Sequence, residues 1–408
     1  MACNNTIGPT TERQRYVILD AMRGLALLGI CLANLPEFAL WTFLSAEEQA
    51  AMPTAEADGV VRFLQYMFVD AKFYGIFSIL FGIGFSIILS HAVERGGKGV
   101  WLFYRRMTAL LFIAVLHLMC VWSGDILCLY ALVGMFLPLF VRMSDKALWS
   151  IAAACIFIPV GIDLWQELSG ITLSAPLVAA WWAKANSYGI TEENFATWLR
   201  DAQSYLPVHQ FLMQGAIERM YEFVDGHRLL KVLGLFLIGY QMGRSKLYAR
   251  LGEYRQRIVK VALWGLAIGV PTSALYAYSA TAGHPWGLTM HSLLYAVSAL
   301  PMSLAYMAVM ALLSIKSPDN ICLRMLAKPG RMALTNYISQ SLFGIIIYYG
   351  IGLSLGTTMG LWQVELTAIA IFAVQIVLSN LWMRYFMYGP LEWLWRMMTY
   401  GRILKLTK

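Results

Sequence analysis

The sequence predicts an all-α, polytopic membrane protein: a helix bundle with about ten transmembrane helices and both termini in the cytoplasm. Three observations carry that expectation. Of 408 residues, 59% are hydrophobic and only 13% charged, with a mean hydropathy of +0.61, whereas about a quarter of a soluble globular chain is charged. The apolar residues gather into ten runs, most of them near the ~17–25 residues that a bilayer crossing needs. The basic residues are also lopsided. With the N-terminus inside, twenty-three of the 31 Lys and Arg fall in cytoplasmic segments or at their span ends, against seven outside, with Arg23 left inside the first span. That bias sets orientation, so the net charge of +8 is a topology signal and not a nucleic-acid footprint.

Composition narrows the chemistry further. The six cysteines lie mostly in apolar runs, with no CxxC and no zinc-ligand spacing, so free thiols and no metal are expected. A Cys120–Cys128 bridge across a hairpin tip is the alternative. The first apolar run contains Asp20 and Arg23 and lacks a small-residue cleavage pattern, so it reads as a retained span. The chain reads as a single transmembrane domain over 1–408: a core at 16–388, an extracytoplasmic segment at about 163–228 and an interfacial helix at about 390–402.

The expected spans are 17–37, 72–92, 107–122, 125–141, 147–164, 229–243 (extending backwards), 258–279, 290–314, 332–352 and 364–386. Span one opens with Asp20 and Arg23, three apart and so on one face. They form an ion pair at the inner interface or a phosphate-binding pair. Asn34 lies ~20 Å further along the axis, in the outer half. The segment from Phe38 to Lys72 is outside, and Lys72 reads first as a snorkelling lysine in an aromatic belt. In span two, Gly75, Gly82 and Gly84 fit close helix contact.

Span three starts with Arg105 and Arg106, where free N–H groups and the helix dipole also favour anions. His117 lies ~15 Å deeper. The chain turns at Ser123-Gly124, and Asp125 follows as a helix cap. It is also only ~7–9 Å from His117 along the axis, so a folded turn or one water would join them. A carboxylate there fixes the imidazole tautomer. Ionisable groups inside a membrane are functional by default, which makes His117 and Asp125 the candidate catalytic pair.

Beyond Asp163, Trp165, Trp181, Trp182 and Trp198 suggest helices lying on the membrane interface. Span nine begins with a polar face of Thr335, Asn336, Ser339 and Gln340, either for interhelical hydrogen bonds or as a channel reached from the cytoplasm. The tail puts Pro390 at a first helical position of a Trp-rich interfacial helix, with Glu392 paired to Arg396.

Five motifs taken together carry a resemblance: Asp20-x-x-Arg23-Gly24; Lys72-Phe73 with Ile79-Leu-Phe-Gly-Ile-Gly84; Arg105-Arg106 with His117 and Gly124-Asp125-Ile-Leu-x-x-Tyr130; Gly330-Arg-Met-Ala-Leu-Thr-Asn-Tyr337; and Gly389-Pro-Leu-Glu-Trp-Leu-Trp-Arg396. From about residue 16 to 402 the chain resembles the bacterial YeiB family, which looks related to the transmembrane acyltransferase superfamily that includes heparan-alpha-glucosaminide N-acetyltransferase. The resemblance implies a multi-pass protein of the bacterial inner (plasma) membrane. It would take an acyl group from cytoplasmic acetyl-CoA or another acyl-CoA and pass it to a small-molecule or glycan acceptor. On this reading His117 is the general base, or carries the acyl group itself, and Asp125 orients it. Arg23, Arg105, Arg106 and Arg331 hold CoA phosphates. Asn336, Tyr337 and Gln340 line a passage for the pantetheine arm, and Asn34 or Asn336 stabilises the oxyanion. Asp20 and Lys72 are further intramembrane polar positions. The bilayer is the expected partner, and a homodimer stays open.

Two other classes compete. A proton-coupled transporter would use His117, Asp125 and the Asp20/Arg23 pair as a relay, although the sequence shows no paired short, broken spans of the kind transporters use. A non-catalytic scaffold would use the same polar groups only to hold helices together.

Overall fold

The computed structural model describes residues 16–94 and 99–408. Cys3, Arg13, Arg15, Arg95 and Lys98 lie outside the described residues. Among those described, the only β-type pairing is an isolated bridge between Phe386 and Thr407; the regular elements are helices. They run α1 (Val17–Phe38), α2 (Ala46–Ala51), α3 (Ala55–Phe68), α4 (Lys72–Glu94), α5 (Gly99–Cys120), α6 (Leu127–Gly134), α7 (Asp145–Ser169), α8 (Ala175–Ser187) and α9 (Phe195–Trp198). The second part comprises α10 (Tyr205–Asp225), α11 (Arg228–Arg244), α12 (Arg255–Thr281), α13 (Gly287–Lys316), α14 (Ile321–Arg331), α15 (Ala333–Tyr348), α16 (Leu361–Tyr385) and α17 (Pro390–Tyr400).

Among the described residues, seven stretches are long and apolar enough to cross a bilayer: α1, α3 running into α4, α5, α7, α12, α13 and α16. The protein is a multi-pass membrane protein. Helices stand at the other three expected spans too, but they are short. The span expected at 125–141 is α6 followed by a 3₁₀ turn at Leu137–Phe140, where Pro138 removes a backbone donor. α11 and α15 have 17 and 16 residues, or about 24–26 Å at 1.5 Å per residue, against a hydrocarbon thickness of about 30 Å. Each packs one face against other helices, while Phe136 and Leu139 beyond α6, Leu229 of α11 and Leu342 and Ile346 of α15 stay exposed.

Two glycine crossings bring helix backbones into close contact. A Cβ on Gly82 of α4 would lie 2.1 Å from the Phe236 carbonyl oxygen, and one on Gly239 of α11 would lie 2.0 Å from that of Ile79. Between α1 and α14, a Cβ on Gly24 would lie 2.0 Å from the Leu326 oxygen and one on Gly330 1.8 Å from that of Asp20. Only hydrogen fits at such a backbone approach. Gly75 likewise abuts Ser303, but Gly84 meets nothing within 4 Å and lines a cavity instead.

The segments between expected spans at 38–72 and 315–331 are themselves helical: they contain α2 and α3, and α14. Asp58 of α3 is buried and accepts from the Trp362 amide (3.0 Å) at the start of α16, while Asn320 caps α14 through the Cys322 and Leu323 amides. Two tryptophans of the 163–228 segment pack on one another and on neighbouring rings. Trp181 stacks on Trp182 and Tyr221 and meets Phe195 edge-on, and Trp198 donates to the Pro207 oxygen. The helices α10 and α11 are parted at Gly226 and His227, the latter with a left-handed φ of 48°, and α14 and α15 at Met332; α10, with Glu218, Arg219, Glu222 and Asp225, and α14, with Arg324, Lys328 and Arg331, are charged helices outside the apolar stretches.

Candidate active site

α5 ends beyond His117, whose carbonyl oxygen accepts from both the Val121 (2.9 Å) and Trp122 (2.8 Å) amides. This closing turn swings the chain back through Ser123 and Gly124, where a Cβ would meet the Trp122 ring. Asp125 thereby returns beside the helix it followed. Its Oδ1 lies 3.0 Å from His117 Nδ1, while its Oδ2 accepts from the Cys128 amide (2.8 Å) in the first turn of α6. The cap and the imidazole partner are thus two oxygens of one carboxylate, with no water needed between. His117 is 2% exposed and Asp125 0%.

The other ring nitrogen is also engaged. His117 Nε2 lies 3.0 Å from Ser341 Oγ on α15, and Ser341 is 1% exposed. With Nδ1–H donated to the carboxylate, Nε2 is left to accept from the serine O–H. Tyr337, one turn earlier on α15, places its ring 5.4 Å from the imidazole, and its hydroxyl accepts from the Ile126 amide (3.3 Å).

Two cavities approach this cluster from opposite ends of α1. A basic cavity of about 280 Å³ is lined along α1 from Tyr16 to Ile30, and its mouth holds Asp20, Arg23, Arg106, Arg331 and Arg396. Its walls further in are apolar, with Leu27, Phe77, Leu110 and Leu127, and Tyr337 faces it. A charged cavity of about 860 Å³ is lined along α1 from Gly29 to Glu37, with Asn34, Arg219, Glu222, Arg228 and Lys231. Ile30 and Ile126 line both cavities. Ile126 is the residue after Asp125.

Of the predicted site residues, the structure brings together His117, Asp125 and Tyr337 at the wall, and Arg23, Arg106, Arg331 and Asp20 at the basic mouth. Asp20 and Arg23 pair at 2.5 Å. Arg106 stacks its guanidinium 3.7 Å over the Trp395 ring. Arg105 instead donates to the Met398 oxygen (3.4 Å) and does not line the basic cavity. Asn336 turns away from His117: its Nδ2 donates to the Pro329 oxygen (3.2 Å) and to Ser379 Oγ (3.0 Å). Gln340 bonds Gln375 (3.0 Å) and the Leu27 oxygen (3.4 Å). Both are helix-to-helix ties, since one residue along a helix rotates the side chain by ~100°. Asn34 faces the charged cavity. Lys72 does not snorkel: it is 0% exposed and its ammonium donates to the Tyr66 oxygen (2.7 Å) beside the Tyr276 ring.

The tail helix α17 packs against α5 and α15 and closes one side of the basic cavity. Glu392 does not pair with Arg396. It accepts from the Leu334 (2.6 Å) and Thr335 (3.0 Å) amides and the Thr335 hydroxyl (2.6 Å), capping α15, while Arg396 lies over the Tyr388 ring.

Ser341 and the ion-pair lining of the charged cavity escaped the sequence reading. Ser341 lay in the polar run of span nine, four residues from Tyr337, and that spacing was its only signal. Arg219 is buried and donates through Nε to the Ser123 oxygen (2.9 Å) at the hairpin turn, pairs with Glu222, and lies 3.8 Å from Glu37. Nearby, burial, with Glu222 and Glu37 beside it, pushes the Glu218 carboxyl up to about 8. Among the described residues no group of three or more His, Cys, Asp or Glu converges as a metal site would.

Residues 242–402 match the family described as "Protein of unknown function (DUF418)". The chain is also 28% identical over 409 residues to the uncharacterized protein YeiB of Escherichia coli (strain K12), covering 95% of this chain and 96% of that one. The chain is thus similar to YeiB over nearly its whole length, with the DUF418 match confined to its second part. The uncharacterized protein YxaH of Bacillus subtilis (strain 168) is 28% identical over 409 residues, 97% of each chain. An uncharacterized 39.9 kDa protein encoded in the amylase 3′ region of Bacillus acidopullulyticus is 28% identical over 397 residues, 97% of this chain and 96% of that one. The matched DUF418 segment supplies Arg331, Tyr337, Ser341 and Glu392, whereas His117 and Asp125 come from the part before it. The cluster therefore needs both halves of the chain.

Proposed function

We propose that this protein is a membrane acyltransferase that moves an acyl group, acetyl in the first instance, from cytoplasmic acyl-CoA to an extracytoplasmic or membrane-embedded acceptor, with His117 as general base. The observation that carries this reading is that two cavities from opposite ends of the bundle share a wall at Ile30 and Ile126, directly beside the His117–Asp125 pair. The basic mouth suits the phosphates of CoA, which guanidinium groups bind bidentately, and the apolar interior suits an uncharged arm and acyl chain. The charged cavity, rich in carboxylates and guanidiniums, suits a polar acceptor such as a glycan.

In the mechanism, Asp125 holds the Nδ1–H tautomer, leaving Nε2 free of a proton so that it can take one from a hydroxyl or amine as that group attacks the thioester carbonyl. Asn336, tied to the Pro329 oxygen and Ser379, does not support the oxyanion role expected of it, and Asn34 faces the charged cavity; Tyr337 O–H and the Ile126 amide lie nearer the wall. A multi-pass protein with basic segments inside fits a plasma-membrane location, with the basic cavity open to the cytoplasm.

The two cavities that meet at Ile30 and Ile126 favour one second reading, a carrier that alternates between them. Adding acetyl-CoA to the purified full-length protein separates them. The enzyme reading expects wild type and His117→Ala to bind acetyl-CoA alike, with slow release of free CoA from wild type alone, at least ~10²-fold faster than from the variant. If neither protein binds acetyl-CoA, the reading fails in favour of the carrier.

A further inference from the structure

Both nitrogens of the His117 ring have partners, and this bears on what the base can act upon. Nδ1 is held by Asp125, and Nε2 meets the hydroxyl of Ser341 at 3.0 Å. Serine in a helix commonly bonds back to the carbonyl four residues earlier; here the partner of Ser341 Oγ is the imidazole. All three side chains are at least 98% buried, so a hydroxyl, an imidazole and a carboxylate stand in line in a dry setting. An acceptor could give its proton to Nε2 directly only by displacing Ser341.

Resting on the acyltransferase reading above, we propose that Ser341 is a covalent nucleophile, and that the protein works in two half-reactions through an acyl-serine. In the first, Ser341 Oγ attacks the thioester carbonyl of acyl-CoA while His117 Nε2 takes the hydroxyl proton. The C–S bond breaks as the C–O ester bond forms, and the proton passes from His117 to the departing thiolate, which leaves as CoA-SH. In the second, an acceptor hydroxyl or amine attacks the ester carbonyl and gives its proton to His117. The ester C–O bond breaks, and His117 returns that proton to Ser341 Oγ. Asp125 holds the ring throughout and stabilises the imidazolium.

The division between the cavities fits this order. The triad residues do not line either cavity; Tyr337, in ring contact with His117, faces the basic one, and Ile126 faces both. Two substrates arriving from opposite ends need not meet at once if the wall itself carries the acyl group. A rearrangement at Tyr337 would open Ser341 to the basic cavity, which places the first half-reaction on that side.

The test uses full-length protein in nanodiscs with radiolabelled acetyl-CoA and no added acceptor. Wild type is expected to release close to one CoA per protein in a burst and to retain a label on the peptide carrying Ser341. Ser341→Ala is expected to bind acetyl-CoA but to lose label and burst by ~10³-fold or more. Ser341→Cys should carry the label as a thioester, released by neutral hydroxylamine under conditions that spare the wild-type oxygen ester. A label on His117, or a Ser341→Ala protein that releases CoA as wild type does, overturns the acyl-serine and leaves acyl transfer standing. Wild type that releases CoA without retaining label also overturns it and makes Ser341 a positioning residue. Absence of acetyl-CoA binding by wild type overturns both readings together. The wild-type labelling needs no variant to fold.

Discussion

Asp125 shows how much one side chain is asked to do here. Its Oδ2 caps α6 and its Oδ1 fixes the His117 tautomer. Asp125→Asn divides these roles. An asparagine oxygen still caps a helix about as well as aspartate, but its NH₂ can face Nδ1 only as a donor, which forces the proton to Nε2 and points it at Ser341. The variant is expected to fold with a melting temperature close to wild type and to lose CoA release by ~10³–10⁴-fold; retention of release would remove the carboxylate from the mechanism. The sequence made His117 and Asp125 legible because charge in an apolar run stands out. It left Ser341 unmarked because a serine in a transmembrane helix carries no such contrast. Lys72 was misread for a related reason: a lysine at a span end looks alike whether it reaches water or, as here, a buried carbonyl.

Among the elements, α15 depends on a cap from another helix. Two of its first free amides and the Thr335 hydroxyl are satisfied by Glu392 of α17, and this joins the tail to the helix that bears Tyr337 and Ser341. Glu392→Ala leaves those donors without their acceptor and is expected to cost about 2–3 kcal/mol, with faster amide exchange in the first turn of α15. Glu392→Gln keeps an acceptor oxygen and should cost about 1 kcal/mol. Equal melting temperatures for wild type and Glu392→Ala would count against the cap. An i,i+4 rule pointed Glu392 at Arg396, as local spacing always will. Nothing local reveals that an N-terminus 57 residues earlier lacks a partner for its amides.

For the whole molecule, the bias of basic residues predicts that the loops around α14 and the tail lie inside and the 163–228 segment outside. Two thiols test this in intact cells, in a background with the other cysteines replaced. Cys322 is exposed at the start of α14, and Ser187 is exposed at the end of α8. A membrane-impermeant maleimide is expected to label Ser187→Cys from outside and Cys322 only after permeabilisation. The reverse pattern would place the basic cavity outside, beyond the reach of cytoplasmic acyl-CoA.

By itself the sequence determined the class, an all-helical multi-pass membrane protein, because burial in lipid demands long apolar runs that composition and hydropathy report directly. It also determined where most helices lie and that His117 and Asp125 are unusual. Only the tertiary structure decided that α6, α11 and α15 are short, that Asn336 and Gln340 tie helices instead of serving the site, and that Ser341 stands at His117. The physical reason is the same in each case. A helix's apolar length is a property of adjacent residues, but the side to which a polar group turns, and the partner it finds 224 residues away, are set by how the helices pack.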